Sequence, residues 1–425
     1  MPNSSSITLT ERFFSPISKA LKNAKSTRYC SRYSDETHIE SGLRRVLENV
    51  SSGREWVQQL QGKFGIFVSV RNFFVSLKSE RRMNLLKEIN QDVCRQTDTL
   101  LLAHKDLFSQ HSELNKFALY ASDGHTHGAS AHELPIEGKK RPITNLFAMN
   151  LRTQSMSHLE LAVPRIGKKQ EHEISTLKRI GGAAMRMGHP AGVKVIHAYD
   201  PAVIDYKQWQ KWKQGSGVYI ITLEKKNSAL EPFFYTSNID TDPRNTGILS
   251  DEKLIATNEI LVRRIKYEDP ISGKIYSFIT SEMTLPPGLI VFIYKMRWNI
   301  EKVFDEIKNK MMERKAWANS SQAKKQQAAF ICIAHNLMLI LECYLEIEEG
   351  ISDEKSKQKR KKRLEQDLKR ATDAGRTMNP LVMQYINPSQ RSCQFIRWLR
   401  NCLHLNTCWC DAVHLIRPLM KQYLH

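Results

Sequence analysis

Four residues with chemically useful side chains are spaced so that they share one face of a predicted helix. They are Tyr294, Arg297, Glu301 and Lys308, within a helical pattern over 289–317. With about 100° of rotation per residue, the last three fall between about 300° and 340° from the first. A carboxylate flanked by Arg, Lys and a phenol suits a phosphodiester site, because it can hold a divalent cation while its neighbours hold phosphates. An amphipathic helix with intrahelical salt bridges is the alternative interpretation.

An apolar stripe lies beside this polar face and predicts how the helix is buried. The stripe falls between about 180° and 280° on the same wheel and comprises Ile300, Val303, Phe304, Ile307 and Met311. The polar face therefore lies at the edge of the core. Trp298, at about 40°, either stacks on an unpaired base or packs against the protein. Asp305, at about 20°, is a rival or helper to Glu301.

Two aspartates follow short apolar runs that are predicted to be strands. The run FALYAS stops at Asp123-Gly124, and GVKVIHAYD ends at Asp200. A helical segment, DYKQWQKWKQG, and a third strand, GVYIITLEKKN, come next. Strands that alternate with helices indicate an α/β core, in which sites lie at the carboxyl ends of strands. Asp205 is a second candidate, but it lies past the strand end and within the next helix.

The segments on either side of this core have different patterns. Residues 1–115 read as mostly helical, and 223–287 are turn-rich and β-branched, with a predicted hairpin in KYEDPISGKIYSFIT. After Gly288 the chain is predicted to be helical, with breaks near Gly350, Gly375 to Pro380 and Pro388. The charged run SDEKSKQKRKKRLEQDLKRA predicts an exposed helix or a mobile connector.

Composition and charge limit the class of protein. The chain has 425 residues, with 64 Lys and Arg against 44 Asp and Glu, and a net charge of +20. This surplus favours a polyanionic partner, and a hydrophobic content of 41% excludes wholesale disorder. Basic residues are dense near the N-terminus, which suits either a DNA-binding module or a solvated helix face: Lys19, Lys22, Lys25, Arg28, Arg32, Arg44, Arg45, Arg81 and Arg82.

Location and redox state can also be predicted from the sequence. The first residues, MPNSSSITLTERFF, do not have the pattern of a secretory signal, so a cytoplasmic protein is expected. The apolar run Ala328 to Leu341 is too short to span a membrane and predicts a buried helix. The 8 cysteines have no CxxC spacing and are expected to be reduced thiols.

Two clusters contain the residue types of transition-metal sites. The first consists of His125, His127, His132 and Glu133, for which a surface loop is the favoured interpretation. The second consists of Cys402, His404, Cys408, Cys410 and His414, which lack the paired C-x2-C spacing of a zinc knuckle. Metal binding is the less favoured interpretation of both.

The spacing Tyr294-x2-Arg297-x3-Glu301-x6-Lys308 resembles the Tyr-Arg-Glu-Lys signature of the DDE transposases of bacterial insertion sequences, in the insertion sequence four group. The surrounding text FIYKMRWNIEKVFDEIK, the upstream DPISGK turn and the LPP before the helix are also similar to that group. YASDGHTHG resembles the family's first aspartate motif, with His125 in place of Thr. DPAVIDYKQWQKWKQGSGVYIIT resembles the second, with departures at Pro201, Val203 and Thr222.

The resemblance implies a ribonuclease-H-like catalytic core over 116–345, with the segment at about 223–287 as a β-rich insertion. It implies that Asp123, Asp200 and Glu301 form a metal-binding catalytic triad. Three such carboxylates can hold two Mg²⁺ ions, with Mn²⁺ as a substitute, about 3.5 to 4 Å apart for in-line displacement at a phosphodiester. Tyr294, Arg297, Lys308 and Trp298 are then the expected DNA-binding residues.

The expected function is that of a DNA transposase, which nicks the ends of a mobile element and transfers 3′-hydroxyl ends into target DNA. Its partners would be terminal inverted repeats and target DNA, bound by a homodimer in the bacterial nucleoid. Residues 1–115 would recognise the ends, and the helical region 346–425 would mediate pairing. A metal-dependent nuclease without strand transfer, and a non-catalytic derivative that acts as a repressor, are the alternatives.

Overall fold

The structure is a computed structural model that describes residues 7–30, 33–48, 50, 52–136, 138–163, 171–226, 228–236, 241–257, 259–384 and 390–421. Arg32, and the helix break predicted near Pro388, lie outside these residues. The described chain passes from a helical region through a mixed region of strands and helices into a second helical region.

In the described part of the chain, nine strands form one sheet with the order 3-2-1-4-5-9-8-7-6. The strands are β1 (Phe117–His127), β2 (Ile143–Asn150), β3 (Met156–Leu161), β4 (Lys194–Ala198), β5 (Val218–Leu223), β6 (Leu230–Thr236), β7 (Ile248–Ala256), β8 (Ile260–Glu268) and β9 (Ile275–Thr280). β4 pairs in parallel with both β1 and β5, and the other neighbours are antiparallel. The predicted mixed α/β architecture is confirmed.

The β-rich segment extends this sheet and does not form a layer of its own. β9 pairs with β5, which places Ile221 opposite Thr280, and β8, β7 and β6 follow outwards. The predicted hairpin joins β8 to β9, and Gly273 supplies the positive φ of 68° that its turn requires. β6 is the last strand, and its pairing register shifts between Pro232 and Phe234.

Helices cover both faces of the sheet because alternate residues of each central strand point to opposite sides. On one face, Ala118 and Tyr120 of β1 belong to the same buried cluster as Trp209 and Trp212. This face is covered by α6 (Glu173–Met185) and α7 (Tyr206–Ser216). On the other face, Leu119 belongs to the larger core, which includes α8 (Pro287–Met296), α9 (Trp298–Asp305) and α10 (Ser321–Glu349).

The helical pattern predicted for the N-terminal region is confirmed. The helices are α1 (Leu9–Asn23), α2 (Asp35–Leu47), α3 (Gly53–Phe64), α4 (Val70–Leu77) and α5 (Glu80–Lys105). Thr8, Ser34, Ser52, Ser69 and Ser79 precede them in order, and each side chain accepts a backbone N–H of the first turn. Their apolar faces share the larger core with α10.

Several of the basic residues proposed for a DNA-binding or solvated face are buried instead. Arg44, Arg45 and Arg82 are all buried. The Arg82 Nε atom is 3.1 Å from Asp35, and the Arg45 guanidinium carbon is 4.3 Å from the ring centre of Trp317. The Arg44 Nε atom is 2.8 Å from Glu40 Oε1. These contacts hold the three cations inside the fold, so neither the DNA-binding nor the solvated-face interpretation applies to them. Four others remain exposed: Lys19, Lys22, Lys25 and Arg28.

The single helix predicted over 289–317 is wrong in its second half. α8 and α9 meet at Arg297, and a wider π-helical turn over Glu306–Lys310 ends the helix. The cause is a distant partner: the buried Glu306 carboxylate is 2.7 Å from Arg391 Nη1 and also accepts the Arg391 N–H. Met312 then adopts a positive φ of 63°, which turns the chain away. The apolar stripe predicted for this helix is buried as expected.

The C-terminal region is helical in its described part. Its helices are α11 (Glu354–Asp373), α12 (Pro380–Gln384), α13 (Cys393–His404) and α14 (Trp409–Lys421). The charged run forms α11, which is mostly exposed. Among the described residues, α10 is the one helix long and apolar enough to span a membrane, and its most apolar window is 78% buried inside the protein. This burial is typical of a core helix and agrees with the prediction for Ala328 to Leu341.

The crossing of α2 and α10 depends on the absence of a side chain at Gly42. A Cβ atom there would overlap the ring of Phe330, which is fully buried and stacks on Trp317. We predict that Gly42→Ala lowers the free energy of unfolding by about 1–3 kcal/mol through overpacking. Gly62→Ala, in the open on α3, is the matched control and is expected to be neutral or stabilising by up to about 1 kcal/mol. Urea denaturation measures both, and equal effects would contradict the packing explanation.

Candidate active site

Asp123 lies on β1 just beyond its pairing with β4. The parallel pairing ends with Ala121 opposite Ala198, whereas β1 continues beside β2 as far as His127. The prediction that the strand stops at Asp123-Gly124 is therefore wrong, because the β2 hairpin supplies partners for four further residues. Asp123 nevertheless lies past the end of β4, where β1 has lost its partner on that side. Residues from other elements can therefore approach its side chain.

Asp200 and Asp205, the two candidates for the second catalytic aspartate, have different surroundings. Asp200 follows the end of β4. The Asp200 side chain accepts the N–H of Ala202 at 2.9 Å and caps a 3-10 turn over Pro201–Val203. Asp205 instead caps α7 and forms an ion pair with Lys178 of α6. Asp205 thus has a complete structural role at the start of a helix.

Arg297 connects the sheet to the helix that carries Glu301. Its Nη1 atom is 3.1 Å from Asp123 Oδ2, and its Nη2 atom is 2.8 Å from Glu301 Oε1. Arg297 is only 8% exposed, so the guanidinium is held between two carboxylates largely out of water. Charge-assisted hydrogen bonds of this kind are stronger than neutral ones.

Asp123 has an electrostatic environment that favours its neutral form. The pKa of Asp123 is raised to about 6, chiefly by burial, with smaller contributions from the negative charges of Asp200 and Glu301, while Arg297 opposes the rise. Electrostatic effects of Asp200 and Glu301 on Asp123 are consistent with carboxylates that lie in one region of the fold. Perturbed acids in a group are typical of functional sites.

A fourth carboxylate, Glu173, lies in the same group and was not predicted. It is the first residue of α6. Burial raises the pKa of Glu173 to about 8, with further contributions from Asp200 and Asp123. An acid in the first turn of a helix is common for the helix dipole alone, so its sequence gives little signal. The position of the helix, between the third and fourth strands of an α/β core, is the one feature that could have identified it.

The four residues proposed to bind DNA differ in accessibility. Tyr294 is buried against Phe278, with ring centres 5.2 Å apart. Trp298 is 59% exposed, and Lys308 is exposed on the π-helical turn. Arg297 is buried and bonded to the carboxylates of Asp123 and Glu301. The four residues do not form one continuous helical face, because α8 and α9 are separated at Arg297 and the chain widens into a π-helical turn after Asp305.

Asp305 and the histidines have other surroundings. Asp305 is exposed and accepts a hydrogen bond from Gln390 Nε2 at 2.9 Å. His125 and His127 lie in β1 and not in a surface loop, and the His125 ring stacks on Phe304 at 4.7 Å. Burial lowers the pKa of His125 to about 4 and of His127 to about 3, so both are neutral. Glu133 pairs with Lys324 at 2.7 Å.

The residue types at the site fit a hard divalent cation. Carboxylate oxygens are the ligands that Mg²⁺ and Mn²⁺ prefer. The buried Glu173 Oε2 atom has no hydrogen-bond partner. Among the described residues, no three His, Cys, Asp or Glu side chains are already close enough to hold a metal ion, and this includes the C-terminal Cys and His cluster. At the site, Arg297 takes the position between two of the acids. All eight cysteines are free thiols.

A family model matches part of this region. The family model described as "Transposase DDE domain" matches residues 199–337. This match supports a DDE transposase. It covers about a third of the chain and includes Asp200 and Glu301, whereas Asp123 lies before it. DDE transposases depend in general on a divalent metal. The chain has no match among the curated proteins.

The raised pKa values of Asp123 and Glu173 predict how the free energy of unfolding depends on pH in the absence of metal. Asp123 and Glu173 have folded pKa values of about 6 and about 8, above their ordinary 3.8 and 4.5. The folded state therefore binds protons more tightly, and their contribution to stability is lost as pH rises from about 4 to about 8. In Glu173→Gln the decline above about pH 6 is expected to be shallower, since Gln remains neutral. Asp205→Asn is expected to keep the wild-type decline.

Urea unfolding in EDTA at a series of pH values measures this difference. Parallel curves for the wild type and Glu173→Gln would show that Glu173 titrates normally, and would contradict the electrostatic description of the site.

Arg297 is expected to stabilise the metal-free site because it neutralises carboxylates that repel one another. We predict that Arg297→Met lowers the free energy of unfolding at pH 8 by about 1–3 kcal/mol, the usual loss when charged groups lose a partner. Lys178→Met is the matched control, since it removes the more exposed partner of Asp205 and is expected to cost less than about 1 kcal/mol. Equal losses in urea denaturation would argue against a special role for Arg297.

Proposed function

We propose that this chain is a transposase that binds the ends of a mobile element, nicks DNA by metal-dependent hydrolysis and transfers 3′-hydroxyl ends into target DNA. The observation that carries the proposal is that Arg297 bonds both Asp123 of β1 and Glu301 of α9. Asp200 follows the end of β4, the strand beside β1, and the DDE family model matches residues 199–337. The mutual effect of these charges on Asp123 supports their grouping.

We propose a ribonuclease-H-like core of the insertion sequence four group. The support is the topology: an antiparallel β1, β2 and β3, followed by α6 and then by β4 and β5 in parallel with β1. The spacing of Tyr294, Arg297, Glu301 and Lys308 supports the Tyr-Arg-Glu-Lys signature. The domain boundaries at about 115 and 345 are part of this proposal.

Asp123, Asp200 and Glu301 would hold Mg²⁺, or Mn²⁺ in its place. A divalent cation supplies Lewis acidity that activates water or a DNA 3′-hydroxyl and stabilises the leaving oxygen. The chain's own contribution is position, since two strands and a helix fix the three acids around one opening. Burial of Asp123 and Arg297 excludes water there and strengthens each charge interaction.

The positive groups around the acids are proposed to bind DNA. Arg297 would exchange its carboxylate partners for a phosphate. Lys302 follows Glu301 directly, and burial together with Arg360 and Arg363 of α11 lowers the pKa of Lys302. α11 therefore brings positive charge near Lys302, which suits the phosphate backbone. This charge was not anticipated as part of the site.

Lys308, Trp298 and Tyr294 complete the proposed DNA contacts. Lys308 would bind a neighbouring phosphate. The exposed Trp298 ring would stack on an unpaired base. Tyr294 is buried and would act with Arg297, whose guanidinium carbon is 5.8 Å from the Tyr294 ring centre.

The remaining parts of the proposal concern assembly. The exposed Lys19, Lys22, Lys25 and Arg28 suit recognition of inverted repeats by the N-terminal helices. Joining two ends requires at least two copies on DNA, so we propose a homodimer, with the C-terminal helical region as the pairing element. The proposed location is the bacterial nucleoid, where element ends and target DNA are found.

DNA cleavage tests this function. We expect the wild type, in Mg²⁺ and not in EDTA, to nick labelled DNA carrying the inverted repeats that flank its gene and to join the ends to a target plasmid. Asp123→Asn, Asp200→Asn and Glu301→Gln should each lower the rate by at least about 100-fold, because each weakens several kcal/mol of charge stabilisation in the transition state. Asp205→Asn keeps the helix cap and should remain active.

Three results would lead elsewhere. Nicking without joining would favour a nuclease. Tight binding of the repeats with no cleavage in any metal would favour a non-catalytic repressor. Loss of cleavage in Asp205→Asn, together with an active Asp200→Asn variant, would assign the second catalytic aspartate to Asp205 instead of Asp200.

A further inference from the structure

Glu173 is placed among the proposed catalytic acids by the fold itself. The third strand returns along the edge of the sheet, and α6 then begins with Glu173 as its first residue. Three of the charged groups that act on its carboxylate are Asp200, Asp123 and Arg297. The Glu173 carboxylate is therefore near enough to two members of the proposed triad to interact with them electrostatically.

The chain leaves space for this carboxylate by having glycine next to Asp123. A Cβ atom on Gly124 would overlap the Glu173 Oε1 atom, and it would also be 3.1 Å from Thr144 Cγ2. Gly124 has an ordinary φ and no backbone reason to be glycine. The close approach of the Glu173 carboxylate supplies a reason: any larger residue at 124 would push it out of the site.

The second Glu173 oxygen has no partner of its own. Oε2 is buried and makes no hydrogen bond in the structure. Arg297 does not satisfy it, because the two terminal nitrogens of Arg297 are bonded to Asp123 and Glu301. Lys178, on the next turn of α6, is paired with Asp205. A buried carboxylate oxygen without a donor is costly unless a cation or proton occupies its lone pairs.

We propose that Glu173 is a fourth metal-holding carboxylate, which binds a divalent cation together with Asp123 and Asp200. The inference rests on the proposed function and adds a residue to it that the three-acid pattern does not contain. The cation would supply the partner that the Oε2 atom lacks. Gly124, which has no side chain, would leave space for the Glu173 carboxylate. If Glu173 only began a helix, its replacement would leave the affinity for Mn²⁺ unchanged.

Direct Mn²⁺ binding tests the proposal without any DNA. Isothermal titration calorimetry of the full chain at pH 7.5 compares the wild type with Glu173→Gln, Asp123→Asn and Asp205→Asn. We expect Glu173→Gln and Asp123→Asn to weaken Mn²⁺ binding by at least about tenfold, as loss of a supporting metal contact does. Asp205→Asn, which changes the corresponding acid at the start of the next helix, should bind like the wild type.

Two further readouts separate metal binding from folding. Glu173→Gln should melt at the same temperature as the wild type or higher at pH 7.5 in EDTA, and should gain less stability from added Mn²⁺. Glu173→Asp keeps the charge but withdraws the carboxylate by one methylene, so its Mn²⁺ affinity should fall between those of the wild type and Glu173→Gln.

The outcomes distinguish this inference from the proposed function. If Glu173→Gln binds Mn²⁺ like the wild type while Asp123→Asn does not, Glu173 is not a metal-holding residue and the three-acid site stands. If the wild type binds no Mn²⁺, or if Asp123→Asn leaves the affinity unchanged, both the inference and the metal site of the proposed function are overturned.

Discussion

The carboxylates of Asp123 and Glu301 need a counter-charge, and Arg297 supplies it to both. Its guanidinium joins Asp123 on the first strand to Glu301 on α9, so the same contact that offsets repulsion also docks the helix on the sheet. Arg297 lies at the junction of α8 and α9, where its N–H is bonded to the Tyr294 carbonyl three residues earlier. The position of Glu301 therefore depends on an ion pair as well as on the apolar stripe beneath it.

A second buried arginine holds the far end of the same helix. Arg391 contacts Glu306 and Glu342, which belong to the π-helical turn and to α10. Because α10 also packs against α2 and α5 within one core, the N-terminal helices, the C-terminal segment and the acidic opening share their support. A change in packing far from the acids, such as at Gly42, can thus reach α9 through α10.

The sequence was sufficient where structure is set by local pattern or fixed spacing. The N-terminal helices, the hairpin at Asp269 to Gly273 and the buried stripe of α9 all follow from periodicity, caps or turn residues. It was insufficient where distant partners decide. Arg391 ends the helix at Glu306 from 85 residues away, Asp35 holds Arg82 inside the core, and Glu173 joins the acids only because α6 returns to the sheet. The site residues and their roles remain predictions.

The outer strand of the sheet limits how copies of this chain can meet. β6 contains Pro232, which has no N–H to offer a neighbouring strand, and the register shift at Phe234 distorts the ladder beside it. Such features disfavour strand addition and edge-to-edge aggregation, even though Phe233 and Phe234 are exposed. Continuation of the nine-stranded sheet into a second subunit is therefore unfavourable at this edge.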